Sequence, residues 1–188
     1  MAAKPSVAVR KGTATSRGGR ATAQRILDAA SEILMTRGRE GFSMRSVAEE
    51  AGLHLANVQY YFPKRDDLVA ALLQHIGDRY RLAYEELLAD AGDDPRERFA
   101  RILDYNLEDL GRKKTRQFFI QLWALLQSLD GHSGRLLGEL YETDIAQLST
   151  AIALMHPKTK PAEVRQRATL LAAMIEGLMV VRGPLRAS

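Results

Sequence analysis

Residues 52–68 read GLHLANVQYYFPKRDDL and gather side chains suited to contact rather than to covalent chemistry. Gln59 carries the paired donor and acceptor that can meet an adenine edge. Ser43, Asn57, Tyr60, Tyr61, Lys64 and Arg65 offer hydroxyls, an amide and cations, which suit phosphate oxygens. Bond-making chemistry has less to work with. Four histidines, His54, His75, His132 and His156, lie scattered, with neither HExxH spacing nor a convergent acid cluster. Cysteine is absent, which excludes disulfides, thiolate catalysis and thiol redox sensing. No glycine loop of the phosphate-cradling type appears. The reading is a non-enzyme, with no cofactor and no metal.

These contact residues need elements to position them. The chain has 188 residues, 46% hydrophobic and 27% charged, which suits one large domain or two smaller ones. Its net charge of +4 is unevenly placed. Residues 1–65 hold 11 Lys/Arg against 5 Asp/Glu, and the remainder holds 16 against 18. The basic first third is the footprint of a polyanion partner, or of a basic tail without one. Residues 1–20, rich in Gly, Ala, Ser, Thr and bases, are expected to be disordered. No run of about 18 apolar residues exists, so no transmembrane helix is expected. The N-terminus lacks the apolar core of a secretory signal, and the expected location is cytoplasmic.

From residue 23 the apolar spacing is helical. Ile26, Ala29, Ala30, Ile33 and Leu34 mark one face, with Thr22 as N-cap and Gly38 as stop. Ser43 caps a short second helix ended by Gly52, and a third runs from about His54 to Phe62. Pro63 suits the first turn of a fourth helix. Further helices follow from Asp94-Pro95, after Gly111, over about 133–155 and over about 162–182. No strand pair is legible, so the expected fold is all-α. Three short helices with a glycine turn between the second and third fit a helix-turn-helix.

The stretch RILDAASEILMTRGREGFSMRSVAEEAGLHLANVQYYFPKRDDLV strongly resembles the DNA-binding domain of the tetracycline-repressor (TetR) family. The resemblance is carried by Ile26-Leu27, Ala29-Ala30, Ile33-Leu34, Gly38, Ser43, Arg45, Val47-Ala48, Ala51-Gly52, Tyr61-Phe62, Arg65 and Leu68. Three positions depart from the family pattern: His54 stands where a capping Ser is common, Ala56 for Gly, and Gln59 for the first aromatic. The resemblance implies an N-terminal DNA-binding domain over 21–66 and a larger ligand-binding and dimerisation domain over 67–188. Arg45 matches a position that reaches a base, and Arg favours guanine. Leu55 and Ala56 suit a thymine methyl, and His54 a polar cap. Phe62 is expected in the core; Tyr61 lies between core and phosphate.

The resemblance also implies a small-molecule pocket and a homodimer built on the last two helices. Polar tips in apolar company make His75, Arg79, Tyr84, Tyr105, Asn106, Phe118, Gln121, Trp123 and Gln127 the ligand candidates. Leu137, Tyr141, Ile145, Leu148, Ile152, Leu171, Met174, Ile175 and Leu178 are the dimer candidates, with burial inside one subunit accounting for part of each stripe. The implied function is a transcriptional regulator, a repressor that binds a palindromic double-stranded operator and is released by an unknown small-molecule effector. The alternative is a DNA-binding regulator or architectural protein without a ligand.

Overall fold

The computed structural model describes residues 17–129 and 133–182; the expected N-terminal tail lies outside them up to residue 16. The described residues form eight helices and no strand. They are α1 (Arg17–Gly41), α2 (Met44–Glu50), α3 (Leu55–Tyr61), α4 (Arg65–Ala89), α5 (Pro95–Gly111), α6 (Lys113–Gln127), α7 (Ser133–Met155) and α8 (Pro161–Arg182). The all-α expectation holds, with three helices of a helix-turn-helix arrangement first. No described helix is long and apolar enough to cross a membrane.

The chain divides into two compact units, Met1–Ile76 with Gln117–Leu137, and Gly77–Arg116 with Gly138–Ser188. In the first, α1 buries Ile26, Ala29, Ala30, Ile33 and Leu34, the face its spacing marked out. It starts earlier than expected and takes in Arg17–Arg20. Thr22 therefore caps nothing. It sits inside the helix, and its hydroxyl donates to the Gly18 carbonyl at 3.0 Å, a local bond that lets Thr remain helical. Near the far end Gly38 takes φ 65 and breaks the helical path.

α2 packs on α1, and α3 on α2. Ser43 caps α2 as expected, and its partner is Ser46. The Ser46 amide donates to Ser43 Oγ at 3.1 Å, and the Ser43 amide donates to Ser46 Oγ at 3.0 Å. This reciprocal box satisfies two backbone donors that a helix start leaves open. The far end of α2 closes on Gly52, at φ 62. The Leu53 amide bonds the Ala48 carbonyl at 2.9 Å and the Gly52 amide bonds the Glu49 carbonyl at 3.0 Å, the Schellman pairing that a left-handed glycine permits. Pro63 is not in the first turn of α4 but two residues ahead of it. The chain is extended at Phe62, which suits the residue before a proline. The opening turn is fixed instead by Asp67, whose Oδ2 accepts the Lys64 amide at 3.0 Å.

In the second unit Asp94 caps α5, accepting the Arg96 amide at 3.0 Å, with Pro95 at the first helical position. α5 and α8 pack together. Buried residues of this unit include Tyr84, Ile102, Leu140, Leu148, Ala168 and Ile175.

The Gly52 turn yields a stability prediction. No heavy atom lies within 4 Å of where a Cβ would stand, so a substitution there meets only backbone strain. Gly52→Ala is expected to lower stability by about 1 kcal/mol, read from urea unfolding. Gly111→Ala, at a helical glycine with the same open space, should cause no loss.

Candidate functional site

The reading head is built on very little buried surface. Within α3 only Val58 is buried, and Phe62 follows at its end, also buried. With these two held inward, Ala56, Asn57, Gln59 and Tyr60 are exposed, and Leu55 and Tyr61 are half-buried. His54 occupies the N-cap position but makes no side-chain cap bond, so the expected cap role fails and its ring is exposed. Imidazole reaches the first-turn amides less readily than a serine hydroxyl does. Arg45 is exposed on α2 and Lys64 is exposed ahead of α4. Arg65 is half-buried, its guanidinium carbon 5.8 Å from the centre of the buried Phe42 ring. That contact is made by the guanidinium itself, over the ring face. Tyr60 and Tyr61 meet edge to face with centres 5.6 Å apart.

Ser43 differs from the rest of the set. Ser46 Oγ donates to the Gly41 carbonyl at 2.6 Å, which leaves the 2.9 Å contact between the two hydroxyls to be donated by Ser43. Its hydrogen is engaged inside the cap, and a phosphate contact would have to break that bond. Sequence reasoning missed Ser46 as a positioning residue. A signal was present: it lies three residues after the residue it caps, the spacing of a capping box.

Of the ligand candidates, His75, Phe118, Gln121, Trp123 and Gln127 fall in the first unit, and Arg79, Tyr84, Tyr105 and Asn106 in the second. Gln121 has a definite task, its Oε1 accepting the Arg39 amide at 2.8 Å. A Cβ on Gly38 would stand 2.7 Å from that oxygen. His75 Nε2 lies 3.4 Å from Asp28 Oδ1 and 3.3 Å from Gln24 Nε2. Phe118 is buried, Trp123 half-buried and Gln127 exposed.

The second unit holds a polar cluster in which the remaining candidates take part. Tyr84 is fully buried, with its hydroxyl 2.7 Å from Asp144 Oδ1 and 3.0 Å from Asn106 Oδ1. Asn106 Nδ2 donates to the Ile102 carbonyl at 2.8 Å. Tyr80 donates to Asp109 Oδ2 at 2.6 Å, and Tyr141 to Glu176 Oε2 at 3.2 Å. The rings of Tyr80, Tyr84 and Tyr105 stand 5.5–6.5 Å apart. Burial pushes the Asp144 carboxyl up to about 6. Burial and then the Asp144 charge push Glu176 up to about 7. Burial also raises Tyr80 and Tyr84, reinforced by Asp109 and Asp144 respectively. Among the described residues no group of three His, Asp or Glu side chains could hold a metal ion.

Of the dimer candidates, Leu148, Ile152 and Ile175 are buried within the single chain. Met174 is 69% exposed, and the other large exposed apolar residues of α7 and α8 are Leu154, Leu170, Val180 and Val181.

A short helix set on a glycine turn, with its polar face outward and a supporting helix behind, defines a helix-turn-helix regulator of transcription. The profile described as "Bacterial regulatory proteins, tetR family" matches residues 26–72. The chain is 30% identical over 149 residues to the HTH-type transcriptional regulator BetI of Stenotrophomonas maltophilia, across 79% of this chain and 74% of that one. It is 38% identical over 112 residues to an HTH-type transcriptional regulator of Xanthobacter autotrophicus from the dhlA 5′ region, spanning 60% of this chain and 45% of that relative. A crystal structure of a Saccharomonospora viridis protein in complex with choline shares the fold at TM-score 0.71 and 22% identity, covering 90% of each chain. This chain belongs to the tetR family of bacterial regulatory proteins.

The raised carboxyls of the polar cluster yield a prediction with a definite sign. Unfolded, both groups titrate near about 4. The folded chain therefore binds protons more tightly, and its stability falls as pH rises from about 4 through about 7. The penalty is complete above that window. The expected outcome is a Tm gain on acidification from about pH 8 to about pH 5 that Asp144→Asn with Glu176→Gln reduces. The double variant should also melt higher than the parent at the alkaline end.

Proposed function

We propose that the chain is a repressor that binds a palindromic operator as a homodimer and leaves it when a small-molecule effector binds. The observation that carries the DNA half is α3, whose exposed Ala56, Asn57, Gln59 and Tyr60 stand over buried Val58. An α-helix presented this way fits the major groove and meets base edges there. In this reading residues 21–66 form the DNA-binding domain and 67–188 the effector and dimer domain. Arg45 and Gln59 hydrogen-bond base edges, while Leu55 and Ala56 meet a thymine methyl. Asn57, Tyr60, Tyr61, Lys64 and Arg65 set register on phosphates. His54 borders the same surface. The Ser43 hydroxyl serves the α2 cap first.

The dimer half is supported by exposed Leu170, Met174, Val180 and Val181 on α8, apolar side chains that a self-complementary partner face would cover. The Saccharomonospora viridis protein of similar fold was crystallised in complex with choline, which supports a small-molecule effector. Release then follows from an effector with higher affinity for the geometry that does not match successive major grooves, about 34–36 Å apart; equal affinity for both geometries would release nothing.

Selection of bound sequences from a random DNA pool tests the reading. A single two-fold symmetric site is expected, and unselective coating would refute it. Gln59→Ala should change the preferred base at particular positions. Lys64→Ala should instead weaken every sequence alike and reduce the salt slope by about 0.9, measured by titration at several salt concentrations.

A further inference from the structure

We propose that Gln121 on α6 is a positioning residue for DNA recognition. By accepting the Arg39 amide it fixes the exit of α1, and through that the start of α2, where Arg45 stands. Gln121 and α1 lie in the same compact unit. The proposal rests on the reading of α2 and α3 as DNA-contacting helices and adds a specificity-determining residue from outside them.

The first observation is a displaced backbone amide. Gly38, at φ 65 and ψ -170, interrupts the helical path of α1. The peptide that follows is turned out of the helix direction, and its N–H needs an acceptor elsewhere. Gln121 Oε1 supplies it at 2.8 Å, from a residue 82 positions further along the chain. Glycine at 38 provides both the left-handed φ and the room, since a Cβ there would stand 2.7 Å from that oxygen.

The second observation is a bonded path from this amide to Arg45. The Phe42 amide donates to the Arg39 carbonyl at 3.2 Å, and the Phe42 side chain is buried. Ser46 Oγ donates to the Gly41 carbonyl at 2.6 Å and completes the box with Ser43. Arg45 is the neighbour of Ser46 in the first turn of α2, with its side chain exposed. The bonds between residues 39 and 46 therefore hand the position of the Arg39 peptide on to Arg45. α3 is attached at the other end of α2, by the Gly52 turn, and is held by buried Val58 and Phe62. Loss of the Gln121 bond thus displaces Arg45 more than Gln59.

The third observation is how open this joint is. A cavity of about 530 Å³ lies between the end of α1 and α6, with Met35, Gly38, Ile120 and Gln121 in its lining. Met35 and Ile120 remain 37% and 44% exposed, so these apolar side chains leave the joint open to water. A directed hydrogen bond carries the positioning instead. Guanine recognition by Arg needs two bonds at once, a geometry that tolerates errors of about 0.5 Å.

Binding titrations with the full chain test this, on the operator selected from a random pool and on its single base-pair variants. Arg45→Ala and Gln59→Ala first identify the base pair that each residue reads. Gln121→Met keeps the length of the side chain and removes the acceptor, whereas Gln121→Glu keeps an acceptor in place. Each variant is titrated below its own melting transition. Gln121→Met should lower discrimination at the Arg45 base pair by about fivefold or more and leave the Gln59 base pair unchanged. Gln121→Glu should retain both. In an Arg45→Ala background, Gln121→Met should have no further effect at that base pair. Loss spread evenly over all base pairs, or Gln121→Glu behaving as Gln121→Met, overturns the proposal. The two readings fail separately. A pool that yields no specific site, or a site indifferent to Arg45→Ala, overturns the base-reading role of Arg45 and the positioning with it. A site that depends on Arg45 but not on Gln121→Met overturns the positioning alone.

Discussion

A helix of seven residues cannot hold itself. Isolated helices shorter than about 12–15 residues are marginal in water, and α3 has seven. Its shape is imposed from below by Val58 and Phe62, and from before by the Gly52 turn that closes α2. α2 is equally short, and it holds because Ser43 and Ser46 satisfy its first amides while Val47 and Ala48 are buried. The exposed face is thus a derived quantity. Cavity formation at Val58 would tilt the side chains above it, and damage to the core and damage to recognition would be hard to separate by activity alone.

The second unit follows a different logic. Tyr84 is among its most buried side chains and carries a hydroxyl, where a leucine would satisfy packing alone. Asn106, which it bonds, and Asp109, which Tyr80 bonds, are also buried, and the tyrosine hydroxyls answer to acids on other helices. A buried polar network of this kind is demanding in geometry, since each member left without a partner costs more than a bond gained. It specifies how α4, α5, α7 and α8 meet more narrowly than apolar contacts would.

The fold was largely legible from the sequence because its signals are local. The spacing of Ile26, Ala29, Ala30, Ile33 and Leu34 appeared as buried positions, and Asp94-Pro95 did start a helix. The misses were also local but turned on competing bonds. Thr22 was read as a cap because Thr caps well, yet its hydroxyl can bond back four residues and stay helical. His54 was read as a cap by analogy with the residue it replaces, and the structure gives it no such bond. The role of Gln121 at the Arg39 amide joins residues 82 apart in sequence, which no periodicity reports. Tyr84, Tyr105 and Asn106 were singled out as polar tips on apolar faces. Asp144, the acid that Tyr84 bonds, was not, because a lone acid on a helix reads as a solvated face until its neighbours are known.

The division of α3 into a buried minority and an exposed majority bears on how such a chain can change over time. Substitutions at exposed positions away from caps and turns usually move stability by less than about 0.5 kcal/mol. Ala56, Asn57 and Gln59 are positions of that kind. A duplicated copy could therefore drift from one DNA sequence to another through single replacements, every intermediate still folded, while Val58, Phe62 and Gly52 stay under purifying constraint. The target is the part of this molecule that is easiest to rewrite.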